Sequence, residues 1–451
     1  MSHENFGVGA RLLAGALGLG ICSAAMGQVA TALVREGDTV GGGLVTGIDT
    51  TTVNHAGGWA ATLITNNAGV SISHVFGNAG FGAGSVLRSE ATIGSLAQTS
   101  FESFFGIDNS GKSSYSASGT GGPVGGFDSV FYEDTPLAVE GDPVASLPGL
   151  FWSFASRPGV TAEGVPYWAG GTRTTPGGTT SNRGLFYGVN GTPLLLGGQN
   201  VPGLPLPLNS GGSTVAFDYR FSKSGSNYLA EVQLTGATSA DAAMVKSGSG
   251  LVVGGTLVRE GNMVPAVAGG NGVEAYQNFG QVGITESGRW MITGDTNAIA
   301  TADAFVMIDG VIVLREGQAV GGGGTLNGNI TYASMNEDGD WAAVANVSSL
   351  ESLLLNGNKI LGVNDLVDIT GDGVPDANGR LADFTGIASM RIADRRNGLI
   401  DVYFTADVDV NNTPGTAADD VEAAFRITVV PAPAGALVLL MAGGMGARRR
   451  R

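Results

Sequence analysis

One phrase returns throughout this chain: a short apolar run that ends in an acidic or glycine turn. It reads Leu33-Val34-Arg35-Glu36-Gly37-Asp38, Leu137-Ala138-Val139-Glu140-Gly141-Asp142, Leu257-Val258-Arg259-Glu260-Gly261-Asn262 and Val313-Leu314-Arg315-Glu316-Gly317-Gln318. Weaker copies are Val86-Leu87-Arg88-Ser89-Glu90, Leu194-Leu195-Leu196-Gly197-Gly198-Gln199 and Ile360-Leu361-Gly362-Val363-Asn364-Asp365, which makes seven. A second phrase follows each copy, a polar turn ending in glycine and then a strand that begins with an aromatic residue. Asn54-His55-Ala56-Gly57-Gly58-Trp59, Glu286-Ser287-Gly288-Arg289-Trp290 and Asn336-Glu337-Asp338-Gly339-Asp340-Trp341 are its clearest forms. Degenerate forms centre on Gly111, Gly159, Gly225 and Gly398, so the landmark glycines lie 48 to 66 residues apart. A unit of that length that cannot bury its own apolar face must stack on its neighbours.

Within a unit the apolar runs are short and separated by Asn, Asp and Gly, as strands are. In the sixth copy the pattern predicts strands over Ile330–Met335, Trp341–Val347, Leu350–Leu355 and Lys359–Val363. Helical spacing over ten residues is not sustained anywhere between the two ends. Four strands per unit and seven units predict an all-β, seven-bladed β-propeller over residues 28–429. After Leu399–Phe404 one more strand, Ala423–Val429, ends the array without a closing phrase, and the missing strand stands at the other end as Thr31–Glu36. Pairing of these two segments would close the ring and leave no open edge. An open β-solenoid or two β-sandwiches use the same strand content without that pairing.

The chain has 451 residues, 76 of them glycine, 43% hydrophobic and only 14% charged, enough apolar residues for a core. Its net charge of −16 excludes a duplex-binding surface, because lysines are confined to Lys112, Lys223, Lys246 and Lys359 and such binding needs clustered cations. Cys22 is the single cysteine. It stands between an apolar run, Leu12–Ile21, and the small residues Ser23, Ala24 and Ala25, the arrangement of a helical signal peptide over residues 1–27. Its removal would leave neither a disulfide nor a thiol nucleophile.

At the other end Val430-Pro431-Ala432-Pro433 leads into an uncharged apolar stretch, Gly435–Ala447, and then Arg448–Arg451. Such a segment partitions into a bilayer and its arginines hold it on the cytoplasmic side, although it falls short of the about 20 residues a spanning helix needs. This three-part tail, residues 430–451, resembles the PEP-CTERM sorting signal of bacteria, with Val-Pro-Ala-Pro in place of the literal Pro-Glu-Pro. The resemblance implies delivery to a membrane, processing by an exosortase-type enzyme and display at the cell surface or outside the cell. An uncleaved C-terminal anchor is the alternative.

The recurring residues read as scaffold. Trp59, Trp290 and Trp341 hold one place in three repeats, which predicts rings packed between neighbouring units. The Arg35-Glu36, Arg259-Glu260 and Arg315-Glu316 pairs predict a turn whose charges pair between blades and whose glycine takes positive φ. Trp152 and Trp168 stand outside that pattern, in the aromatic segment 151–168, and are predicted to form an exposed binding surface. Asp368, Thr370, Asp372 and Asp376 stand at positions 1, 3, 5 and 9 of a loop with Gly373 at 6 and the Val374 carbonyl at 7. This resembles the calcium loops of dockerin-like and integrin-type propeller repeats, which implies a structural Ca2+. Gly379 stands where an EF-hand has its bidentate Glu, and the plain alternative is an Asp and Gly turn. The acidic stretch from Asp407 to Asp420 is predicted to be a solvated loop.

Of catalytic constellations the sequence offers none: outside the leader only His55 and His74 remain, and there is no Gly-x-Ser-x-Gly elbow. The expected role is therefore a non-enzymatic, surface-displayed component of the cell envelope or extracellular matrix, with extracellular polysaccharide as a candidate partner. The alternative is a secreted polysaccharide hydrolase or lyase using carboxylates at the propeller mouth. Non-repeated Asp, Glu, Arg or His side chains converging at the mouth would favour the enzyme, whereas repeated Arg-Glu pairs or apolar side chains alone would favour binding.

Overall fold

A computed structural model describes residues 28–80, 82–180, 182–210, 218–384, 390–411 and 420–430. The leader, residues 1–27, and the tail beyond Val430 lie outside them. Among the described residues there is no α-helix, only the 3-10 turns Thr238–Ala240 and Ala266–Ala268, and no helix is long and apolar enough to cross a membrane.

The sixth repeat shows how the sequence makes a blade. Its strands are Leu326–Met335, Trp341–Val347, Leu350–Leu355 and Asn358–Gly362, paired antiparallel in that order. Each connection has its own turn chemistry. The Asn336 side chain accepts the Asp340 N–H at 2.9 Å while Gly339 sits at φ +81°. Ser348-Ser349 and Asn356-Gly357 both take positive φ at the two central positions, the twist that suits a two-residue hairpin.

Seven such sheets form a seven-bladed β-propeller. The innermost strands of blades one to six are Gly43–Val53, Leu96–Ile107, Phe151–Val160, Tyr219–Phe221, Tyr276–Ile284 and Leu326–Met335. In the seventh blade the inner position is shared by Arg380–Asp383 and Arg391–Ile392, followed by Ile400–Asp409 and Asp420–Val429. Its outer strand comes from the other end of the chain: Ala30–Arg35 pairs antiparallel with Asp420–Val429, Ala30 opposite Ile427 and Arg35 opposite Ala423. This is the expected closure, and it displaces the solenoid and the paired sandwiches.

The core lies between blades. Trp59 of the first packs on Ala393 and Tyr403 of the seventh, and Trp341 of the sixth packs among Met291, Val306 and Ile308 of the fifth. Each ring is at most 7% exposed, so the shared tryptophans are wedges between sheets, as their repetition predicted. The phrase glycines Gly37, Gly141, Gly261 and Gly317 take φ from +76° to +89°.

Three expectations are corrected. The arginines of the phrase do not pair with the neighbouring glutamates: Arg35 bonds Asp38 in its own turn, and Arg315 forks onto Glu274 of its own blade at 2.7 and 2.9 Å. The turn glycine of the third repeat is Gly164, at φ +85°, rather than Gly159. Asp407–Asp409, expected in a loop, end the strand Ile400–Asp409, and Asp420 starts the next; residues 412–419 between them lie outside the described ones.

Candidate functional site

Because all the inner strands run the same way, one mouth of the channel carries their starts and the other their ends. Alternate residues near the starts, such as Leu44, Thr46, Thr99, Asn327 and Asn329, are exposed. Midway, the inner strands of blades one, two, three, five and six each carry a register break: Ile48/Thr51, Phe101/Phe105, Ser156/Gly159, Phe279/Val282 and Ile330/Tyr332. A bulge bends a strand and re-aims its side chains. Here the break recurs at one depth and turns the following residues to the axis.

Beyond the breaks lies a cavity of about 330 Å³. Counting seven residues back from each turn glycine gives Thr50, Phe104, Arg157, Asp218, Gln281, Tyr332 and Arg391, and all seven line it. Five residues back stand Thr52, Gly106, Gly159, Arg220, Gly283 and Ser334 in blades one to six, again on the wall. The glycines there have a steric cause. A Cβ on Gly159 would sit 2.3 Å from the Tyr167 ring, and one on Gly106 2.9 Å from the Val160 nitrogen. Small residues at this level leave the room into which the long Arg220 side chain can reach.

The charges on this wall belong to individual blades. Arg157, at φ +50° on the break of its strand, pairs with Asp218 at 3.3 Å and lies 4.8 Å over the Phe104 ring. Its carbonyl accepts the Tyr219 hydroxyl. The guanidiniums of Arg220 and Arg391 donate to the backbone carbonyls of Tyr219 and Met390, at 3.2 and 2.8 Å. Burial, then the Arg220 charge beside it, pull the Arg391 pKa well below the usual arginine range. Burial raises the Tyr167 hydroxyl, against the pull of both arginines. Burial also raises Glu102, which holds the Ser116 hydroxyl at 2.6 Å, and Glu231, both within the field of Arg157.

The far mouth is drawn in by the turns themselves. Asn54 donates to the Asp108 carbonyl, Asn109 N–H to Ala162, and Ala162 N–H to Lys223. The Glu337 carboxylate accepts the N–H groups of Lys223 and Glu286 at 2.7 and 2.5 Å, and its own N–H donates to Asp394 at 3.0 Å. Asp394, of the seventh blade, meets His55 Nδ1 of the first at 2.9 Å. His55, read from sequence as a replaceable turn residue, is a link in this girdle.

The residues singled out from sequence fall elsewhere. Trp152 and Trp168 are not a binding surface. They are 2% and 0% exposed, their rings 5.9 Å apart and both against Phe186, between the second and third blades. An aromatic-rich segment here is two paired strands of one blade, and pairing turns its large rings into the sheet interface. The loop of Asp368, Thr370, Asp372, Val374 and Asp376 joins the sixth blade to the seventh. Asp368 accepts the N–H groups of Gly371 and Gly373 at 2.7 and 2.6 Å, and Asp376 those of Ile369 and Thr370 at 2.7 and 3.0 Å. Asp372 accepts the Val374 N–H at 2.9 Å. The Asp368 backbone also pairs with Ala30 and Ala32, so this loop braces the outer edge of the closing strand. Among the described residues no group of three or more His, Cys, Asp or Glu is arranged to hold a metal ion.

No protein family model matches the chain and no curated protein is detectably similar. Solved structures with distant likeness include prolyl oligopeptidase B from Galerina marginata, 15% identical with a TM-score of 0.38; 86% of this chain is covered, and it spans about half, 51%, of that protein. The Penicillium chrysogenum alpha-L-arabinanase complexed with arabinobiose and the GH93 alpha-L-arabinofuranosidase of Fusarium graminearum are each 8% identical with a TM-score of 0.33. Each match covers 89% of this chain and 98% of theirs. Likeness at this level carries nothing about chemistry.

Proposed function

We propose that this protein is an exported, surface-displayed propeller that works as a non-enzymatic binding component of the cell envelope or extracellular matrix, with the floor of its channel as the ligand site. The observation behind this reading is the contrast at one depth: the turn glycine repeats in every blade, while the residue seven before it differs in nearly every blade and faces the cavity. Repetition serves the scaffold; variation at a converging position serves recognition. Export and surface display rest on the sequence of residues 1–27 and 430–451 and on the resemblance of that tail to the PEP-CTERM signal.

The charged cluster is the arrangement that the hydrolase or lyase alternative calls for, but its carboxylates argue against hydrolysis. A two-carboxylate hydrolase needs an acid and a base free to face the scissile bond. On the cavity wall Asp218 is paired with Arg157, Glu337 bonds backbone N–H groups, and Asp394 is held by His55 and the Glu337 N–H.

The test incubates purified full-length protein with polysaccharide extracted from the producing cells and follows sedimentation together with reducing ends and unsaturated products. Binding without new ends, weakened at least tenfold by Arg157→Gln in a variant that still melts cooperatively, is the expected result. Release of ends or unsaturated products would transfer the site to the enzyme reading, and no binding by the folded protein would remove the ligand site. Protease shaving of intact cells tests display.

A further inference from the structure

Arg220 and Arg391 stand out in an acidic molecule. Among the described residues, seven arginines, Arg35, Arg88, Arg157, Arg173, Arg289, Arg315 and Arg395, have a carboxylate within 4.0 Å. Arg183, Arg220, Arg259, Arg380 and Arg391 have none, and of these Arg220 and Arg391 are the two that line the cavity. The carboxylate whose field reaches Arg391 is Asp218, already bonded to Arg157. Arg157, Arg220 and Arg391 thus line one cavity with Asp218, whose carboxylate is bonded to Arg157. The other acids of the cavity, Glu337 and Asp394, are held at the girdle, and Glu102 and Glu231, whose carboxyls burial raises above the usual range, do not line it.

Arginine stays charged in proteins, so buried guanidiniums lining one cavity without a carboxylate of their own cost stability unless an anion completes the site. Their fork suits an oxyanion better than a point charge does. Tyr167, within the field of both arginines, adds a hydroxyl, and its ring is fixed by stacking 4.2 Å from Phe221. Around them Thr50, Ser103, Gln281 and Ser334 offer neutral polar groups, and Tyr332 and Phe104 offer ring faces. That mixture suits a hydroxylated ring, and the volume suits a ligand of one or two sugar units.

We infer that Arg220, Arg391 and Tyr167 form an oxyanion subsite that selects acidic saccharides, binding the carboxylate of a uronate or the sulfate of a sulfated sugar. This deepens the binding reading above and rests on it. The sequence signal was present but needed alignment on the turn glycines: arginines at the variable offsets in the third, fourth and seventh repeats of a chain poor in cations.

The test measures affinity of the full-length protein for galacturonate, galactose 6-sulfate and galactose by calorimetry. Binding of either acidic sugar at least tenfold tighter than galactose is expected, and the tighter of the two names the anion. Arg220→Gln and Arg391→Gln should each abolish that preference of at least tenfold. Lys359→Gln, which removes one charge from an outer strand, should change nothing. Arg220→Lys keeps the charge and should retain part of the preference even if a glutamine variant fails to fold. Equal affinity for all three sugars would overturn the oxyanion subsite and leave the binding reading intact. Turnover of galacturonate-containing oligomers would overturn the non-enzymatic reading and leave the subsite standing. Binding of none of them would remove both.

Discussion

The sixth and seventh blades use the same strand unit but reach it differently. The sixth is one contiguous stretch, closed by local turns that its own sequence specifies. The seventh takes its outer strand from residues 30–35, nearly four hundred positions from its partner, and braces that strand with Asp368 of the preceding loop. It also carries acids side by side: Asp383 opposes Asp407, Asp407 opposes Glu422, and the Glu422 N–H meets the Glu36 carboxylate. Like charges directly opposite weaken a sheet. The seam is therefore held by buried apolar residues, Val34, Ala424, Phe425 and Ile427, against its own electrostatics.

Deleting residues 28–36 should break this comparison most severely. The edge of Asp420–Val429 would be bared along with Phe425 and Ile427, and an open edge of that kind recruits another chain. Light scattering should show oligomers and loss of one cooperative melting step; a monomer with unchanged melting would show that the seam is dispensable. Next in size, Trp341→Ala and Trp59→Ala should each cost about 3–5 kcal/mol by loss of a buried ring. If the acids weaken the seam, Trp59→Ala should also open the ring, and hydrogen exchange should then rise in residues 30–35 before it rises in the sixth blade.

Smaller effects come from the turns. Asn336→Ala removes the bond to Asp340 and the donation to the Ala393 carbonyl at 2.8 Å that ties the sixth blade to the seventh. A loss of about 1–3 kcal/mol in denaturant unfolding is expected. The finest probe is pH. Burial, then Asp383, Asp420 and Glu36, push Asp407 up to about 6, and burial, then Asp383, push Glu351 up to about 7. Because the folded state binds these protons more tightly than the unfolded chain, their contribution is complete below about pH 4 and is lost as pH rises through 6 and 7. The melting temperature should fall over that interval, and Asp407→Asn with Glu351→Gln should flatten the profile. A melting temperature that climbs from pH 5 to pH 8 would contradict the assignment.

Much of the fold was legible because it is written locally and repeatedly. Trp341–Val347 and Leu350–Leu355 are the strands expected from pattern, and the turn residues between them act over a few positions. The third repeat misled at Gly159, a glycine required by the Tyr167 ring rather than by a turn. Trp152 and Trp168 misled because composition does not tell which way a strand faces. The cavity arginines were missed for a related reason: no local rule marks Arg157, Arg220 and Arg391, which are 63 and 171 positions apart.

The repeat, its strand content, its turn glycines and the wedge tryptophans were determined by the sequence, since each follows from the chemistry of a few neighbouring residues reused along the chain. What converges on the axis was decided by the tertiary structure alone. Closing the ring brings one residue from each blade to the same depth, and only there do Arg157, Arg220 and Arg391 come to line one cavity with the Asp218 carboxylate that Arg157 holds. Charge balance in a cavity is a property of distances in space, and distances along the chain do not contain it.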